Sequence, residues 1–567
     1  MSRWPMIALI AVLVIGLQAP FARAEKEFRR LPVSEYVDKM KAGWIGQMAG
    51  VGQGAPTEFR WRGEIIPEDK MPRWKPGMIN QFHQDDIYVE MTFLRTLELY
   101  GMDASIRQAG IDFANSGYPL WHANRAGRTN LRKGIAPPHS GHPKWNKHAD
   151  DIDYQIEADY AGLISPGLPN TAIALGEKFG RLMNFGDGLY GGQFVGGMYA
   201  KAFFDDDMEQ IVRAGLECIP EGSQYHECIS DVLRWHRQHP DDWKKTWELI
   251  NEKYHENPDY RRFSCSGPEG AFNIDAKING AYIVMGLLYG DGDPDRTIVI
   301  STRCGQDSDC NPSNAAGILF TTMGFEGLPE RYKSALDPDT KFTHTSYNFP
   351  QLIDVCKELT RQEVRRAGGR VEKNADGEEV FLIPVQDPQP SPLEQCWDAV
   401  EEPEPEAPKR FTEKEMEQIT ATLGKDISDA VKRFAPGWKA EYCGQDMDPG
   451  LRDELRGKKD VLLTHPFDQQ IGCVLSQTVD LPADKKSTLT LVVGNDHRGD
   501  WLLIVRANDD ELLRKTIGPD TTEDGWTTVE IDLSKYAGKE VKLELVNKAT
   551  GWRYEAGHWA EISLTHH

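Results

Sequence analysis

Three short segments carry acids at spacings that suit cation chemistry. Gln306-Asp307-Ser308-Asp309 stands just before Asn311-Pro312, a cap-and-proline helix start. In an extended loop residues i and i+2 point the same way, so Asp307 and Asp309 can converge on one ion. The positive end of the following helix favours negative charge there. Gln84-Asp85-Asp86 stands at a second expected helix start. Neighbouring helical carboxylates diverge by about 100°, which suits two ions, or one ion and a water. Glu58 follows the glycine-rich stretch "AGVGQGAPTEF", where the backbone can come close to a ligand. Taken singly, each motif reads more often as a helix cap or a solvated loop acid.

Taken together, in order and separation, the three resemble the ADP-ribosylglycohydrolase family. "GWIGQMAGVGQGAPTEF" (43–59) is similar to its N-terminal helix and acidic loop. "HQDDIYVEM" (83–91) is similar to its Thr-Asp-Asp segment, and "CGQDSDCNPSNAAGILFTTMG" (304–324) to its Gly-Asp-x-Asp-Thr segment and helix. The resemblance covers roughly residues 35–335. It implies an all-α fold around one or two Mg2+ ions (Mn2+ or Ca2+ as substitutes) and hydrolysis at a glycosyl anomeric carbon. By position it makes Gln84, Asp85, Asp86, Asp307, Asp309 and Cys310 the metal set. Glu58, Asp86 and Asp307 become the catalytic residues, and Glu58, Tyr190 and Gln193 the substrate contacts. Two positions depart from the pattern: Gln84 and Cys310 stand where the family has Thr. A thiol is a poor ligand for a hard cation.

These segments need elements to hold them. Residues 30–384 read as one all-α catalytic domain. Ser34 caps a helix running to Gly50, Asp85 opens one ending at Gly101, and apolar stretches at 171–185, 191–204, 279–289 and 315–323 supply the rest. Residues 385–410, rich in Pro and Glu, read as a linker. A connecting helix follows over 411–435. The run 436–567 alternates at strand length (489–493, 501–507, 526–533, 541–546) and reads as a small all-β sandwich of jelly-roll type. It is similar to the accessory modules of secreted carbohydrate enzymes. Trp501, Trp526, Trp552 and Trp559 are its candidate sugar-stacking residues, with core packing the more frequent use.

Other acidic and glycine motifs read as structural. Gly186-Asp187-Gly188-Leu189-Tyr190-Gly191 fits a dinucleotide fingerprint, but a helix rather than a strand precedes it. Asp291 to Asp295 reads as a capped turn. Asp150, Asp151, Asp153, Glu157 and Asp159 read as a solvated surface in preference to a cleft, and His83 as a packed side chain in preference to a proton shuttle.

The chain of 567 residues carries 65 basic and 88 acidic residues, net charge −23. That balance excludes unspecific binding to nucleic acid and attraction to an anionic membrane. Residues 1–24 read as a cleaved signal peptide: Arg3, an apolar run at 7–17, and Ala22-Arg23-Ala24. Cleavage removes Arg3 and Arg23 and leaves −25. The expectation is a secreted or periplasmic, monomeric protein with no zinc site, since the cysteines are scattered with no CxxC. Its nine cysteines include two pairs close enough in sequence to bond, Cys304 with Cys310 and Cys218 with Cys228. The expected function is metal-dependent cleavage of an extracellular glycan or glycoside. The alternatives are a true ADP-ribosyl hydrolase and a non-catalytic sugar-binding protein.

Overall fold

The computed structural model describes residues 27–264, 267, 270–398, 410–444, 447, 449–467, 469–551 and 554–567. The segment 1–24 expected as a signal lies outside them, as do Cys265, Trp552 and residues 399–409.

Two helices form the spine of the N-terminal domain: Val33–Gly54 and Cys310–Met323. From Ala42 to Gly54 every residue of the first is buried, and from Cys310 to Thr321 every residue of the second. A helix apolar on all sides belongs inside a domain. The pair can touch because the first presents glycines. A Cβ on Gly50 would come within 2.3 Å of the Pro312 backbone, and one on Gly54 within 2.1 Å of the Ser308 carbonyl oxygen. The equally buried helix Ala276–Gly290 packs beside them.

Helix starts differ in detail from the sequence reading. The first helix begins at Val33, with Ser34 inside it and its hydroxyl bonded to Glu378. The last spine helix begins at Cys310, which makes Asp309 its cap and places Pro312 third. Asp85–Tyr100 is a helix as expected, stopped at Gly101. The domain is not purely helical. Phe28–Pro32, Arg370–Lys373 and Glu379–Pro384 form a small antiparallel sheet that ties its two ends together.

Residues 385–398 lie against the helical domain. Tyr190 donates its hydroxyl to the Pro392 carbonyl (2.7 Å), Gln193 donates to the Ser391 hydroxyl (2.8 Å), and Cys396 is buried. The helix Glu413–Phe434 opens with a Thr412/Glu415 capping box and is held by an Arg107–Glu415 ion pair.

The C-terminal region is a sandwich of two five-stranded antiparallel sheets. One orders its strands 510–517, 501–507, 540–548, 473–480, 439–441; the other 526–532, 487–495, 557–566, 458–464, 450–455. Trp501 and Trp559 meet at 5.3 Å in the core between them, and Trp526 is buried too. The three described candidates therefore pack the sandwich instead of presenting a sugar-stacking face.

The eight described cysteines are unbonded, Cys304, Cys310, Cys218 and Cys228 among them. Asp293 caps the helix Pro294–Arg303, as expected of a turn. Among the described residues no helix is long and apolar enough to cross a membrane.

Candidate active site

The acidic loop after the first spine helix is stitched to the segment before the last. Phe59 N–H donates to the Gln306 carbonyl (3.0 Å), and Gln306 N–H donates to the Trp61 carbonyl (2.9 Å). The Thr57 and Ser308 hydroxyls share a bond of 2.8 Å. Glu58 is thus fixed from both sides, next to Asp307. The Gln306 side chain in turn receives Asn273 N–H and donates to the Ala271 carbonyl, which positions Phe272. Asn279 accepts from the Asn311 side chain (3.0 Å) and anchors the turn from the third helix.

The result is a cavity of about 230 Å³. Glu58, Asp85, Asp307 and Cys310 line one side; Phe59, Trp121, His122 and Phe272 line another, with Asn124 and Asp153 between. Asp86 and Asp309 are buried and do not line it. Ligand atoms of Asp307, Asp309 and Cys310 lie within 4.8 Å of one another. Phe59 and His122 both hold positive φ (49° and 41°), a conformation that non-glycine residues adopt mainly where surrounding structure enforces it.

Electrostatically the carboxylates oppose one another. Loss of solvent, then the Asp309 and Asp85 carboxylates, push the Glu58 pKa up to about 8. Its solvent-facing edge screens part of that effect. Burial and Asp309 push Asp85 to about 6. Burial first, and neighbouring carboxylates second, raise Asp86 and Asp307, while burial raises Asp309 against hydrogen bonds from Asp307 and Cys310 that lower it. Asp86 Oδ2 and Asp307 Oδ1 are buried with no hydrogen-bond partner. Several hard oxygen donors, mutually repelling and partly unsatisfied, fit a divalent cation such as Mg2+. Asp85, Asp86, Asp307 and Asp309 are the residues that would hold it.

Cys310 stands within this set. Its thiol donates to Asp86 Oδ1 at 3.2 Å, and burial among carboxylates raises its pKa. As a soft donor it suits a hard cation less well than the oxygens around it. Gln84 is the cap residue of the Asp85–Tyr100 helix; its amide faces Gln81 (3.5 Å), outside the cavity lining. Tyr190 and Gln193 also lie away from the cavity, engaged with 391–394 as described. His83 is exposed rather than packed.

The acidic stretch read as a solvated surface is buried throughout: Asp150, Asp151, Asp153, Glu157 and Asp159. Three of these carboxylates accept hydrogen bonds that hold them inside. Asp153 accepts the Ala123 and Asn124 N–H groups (3.1 Å each) at the start of the helix His122–Arg132. Glu157 accepts from the Asn124 side chain (2.7 Å), and Asp159 from Asn314 (2.6 Å) and the Tyr199 hydroxyl. The stretch forms the wall behind the cavity. His122 and His148 stand next to it. Burial, then the neighbouring ring, lowers His122 to about 3, and burial lowers His148 to about 4. Sequence reasoning missed both histidines, Trp121 and Phe272; none sits in a motif, and 26 positions separate the histidines.

A helical core enclosing a carboxylate cluster built from three distant segments defines the class of protein. Residues 32–367 match the family model of ADP-ribosylglycohydrolase, and the chain belongs to that hydrolytic family. A solved structure described as an ADP-ribosylglycohydrolase-related protein complex is 14% identical (TM-score 0.37) and is covered over 99% of its length by 58% of this chain. Other similar structures are smaller. The CBM22-1 xylan-binding domain from Paenibacillus barcinonensis Xyn10C is 12% identical over 24% of this chain and 87% of its own (TM-score 0.18). An apo cyclase from Fischerella sp. is 17% identical over 23% of this chain and 72% of its own (TM-score 0.18). No curated protein matches the chain.

Proposed function

We propose that the protein is an exported, metal-dependent hydrolase that cleaves a glycosidic bond in an extracellular glycan or glycoside. The observation that carries this reading is the two-sided cavity: carboxylates face an aromatic wall of Phe59, Phe272 and the 55%-exposed Trp121. A sugar ring has an apolar face that stacks on aromatic side chains and hydroxyls that suit carboxylates and cations. The signal-like sequence of residues 1–24 supports export.

A bound hard dication would orient vicinal hydroxyls and a water, and stabilise charge at the breaking bond. The chain's own residues supply the rest. Glu58 opens on the cavity beside Asp85 and Asp307, where its carboxyl can exchange a proton with a leaving oxygen or an attacking water. Asp85 and Asp307 face the same space as its anionic partners.

One observation favours a second reading, a true ADP-ribosyl hydrolase. Arg62 lies over Phe272, 5.0 Å from the ring centroid, and so borders the cavity with a charge suited to a pyrophosphate.

The test is a screen of the purified chain with Mg2+, Mn2+ or Ca2+ against a glycan and glycoside panel plus an ADP-ribosylated peptide. Metal-dependent release of reducing sugar, abolished by Asp307→Ala, is the expected result. Release of ADP-ribose alone selects the second reading. Sugar binding with no turnover under any metal overturns both and leaves a non-catalytic sugar-binding protein.

A further inference from the structure

Beside the carboxylate centre lies a second cluster of different chemistry. His148 and Asp151 share one turn, closed by Asp151 N–H on the His148 carbonyl (2.9 Å). His148 Nδ1 lies 2.6 Å from Asp151 Oδ2, and His122 Nδ1 lies 4.0 Å from the same oxygen. One ligand atom from each residue falls within 4.8 Å of the other two. The rings meet edge to face at 5.4 Å.

We propose that His122, His148 and Asp151 form a second cation site, at the mouth of the cavity and distinct from the carboxylate centre. It suits a borderline divalent ion of the Zn2+ class. Imidazole nitrogen with one carboxylate selects such an ion, whereas an all-oxygen set selects Mg2+ or Ca2+. The two centres therefore sort ions by softness.

The geometry fits with two small movements. Zinc bonds of about 2.0–2.1 Å to tetrahedral ligands put the ligand atoms roughly 3.3 Å apart. His122 has to approach Asp151, and His148 to part from it, each by under about 1 Å. The burial gradient is that of an open metal site. Asp151 is fully buried, His148 is 14% exposed and His122 32%. His122 itself lines the cavity, so a fourth position faces the space where a substrate oxygen would lie. His122 holds a positive φ, a conformation that a non-glycine residue keeps only where surrounding structure enforces it. Arg125 and Lys147 are the opposing positive neighbours, and the adjacent Asp153 counters them.

The proposal does not depend on the hydrolase reading, and its test uses metal binding alone. The full chain, purified without a polyhistidine tag, is stripped with chelator and kept in excess Mg2+. Zn2+ is then titrated calorimetrically and Co2+ by visible absorbance. The expected result is one tight Zn2+ and Co2+ bands of nitrogen–oxygen ligation. His148→Ala and His122→Gln should each weaken binding at least tenfold and remove the bands, with circular dichroism unchanged. Asp307→Asn should leave Zn2+ binding intact. Binding that survives both histidine substitutions, or that is lost in Asp307→Asn, overturns the proposal.

Discussion

The Cys310 thiol donates to the Asp86 carboxylate across 3.2 Å, joining the first turn of one helix to the first turn of another. The bond orients Asp86 and uses the lone pair of one of its oxygens. Cys310→Thr puts a hydroxyl, a hard donor, in the same place. It should tighten Mg2+ binding several-fold. Cys310→Ala removes the bond, worth about 0.5–1.5 kcal/mol, and should weaken Mg2+ by roughly 2- to 10-fold. Calorimetry on the two variants checks the order, and equal affinities would contradict this role.

Asp307 presents the opposite trade. In metal-free protein its buried carboxylate sits among Asp309, Glu58 and Asp86. Asp307→Asn keeps the shape and removes one source of repulsion, so the metal-free variant should melt higher than the parent by a few degrees. Added Mg2+ should stabilise the parent and not the variant. Thermal melts with chelator and with Mg2+ decide the matter. A metal-free variant that melts lower sinks this account.

The same charges set an unusual pH dependence. An unfolded Glu titrates near pH ~4.3, and Glu58 in the metal-free fold near 8. The fold binds the proton more tightly than the unfolded chain. Stability from this group is therefore complete below about pH 4.3 and lost as pH rises towards 8. Asp85, raised to about 6, acts in the same direction over a lower window. In chelator, the melting temperature should fall between pH 5 and 8, and Glu58→Gln should flatten the slope. Mg2+ binding at pH 7 should release protons, visible as a buffer dependence of the binding heat.

Trp121 stands exposed at the rim while its neighbours Phe59 and Phe272 pack edge to face at 4.7 Å. Trp121→Ala should leave stability within about 0.5 kcal/mol. Lost stacking of about 0.5–1.5 kcal/mol should lower kcat/KM by roughly 2- to 10-fold on whichever substrate the screen finds. A change in melting temperature without a change in kinetics would place Trp121 in the scaffold instead.

The acids that the sequence made legible were those in short motifs. Glu58, Asp85, Asp86, Asp307 and Asp309 each read singly as a cap or a loop acid, and only the order and separation of their three segments, which resemble the family's, singles them out. The strand pattern of the sandwich was equally plain, since alternation over 487–495 or 501–507 leaves little else. Asp150 to Asp159 were read wrongly for a physical reason. A charged run defaults to water unless partners await it, and Asn124, Tyr199 and Asn314 lie far away in sequence. Tyr190 and Gln193 point to a strap whose prolines suggested a free linker. Lone histidines such as His122 and His148 carry no periodic signal at all.

The spine helices meet backbone to backbone at Gly50 and Gly54, whereas the aromatic wall hangs on side chains, such as Gln306 holding residues 271–273. Phe59 and Phe272 are tied through Gln306 to the segment that carries Asp307, whereas Trp121 stands exposed at the rim. Drift at Trp121 can retune what enters the cavity without moving Asp307 or Asp309. A scaffold divided in this way can acquire new substrates by altering its rim alone.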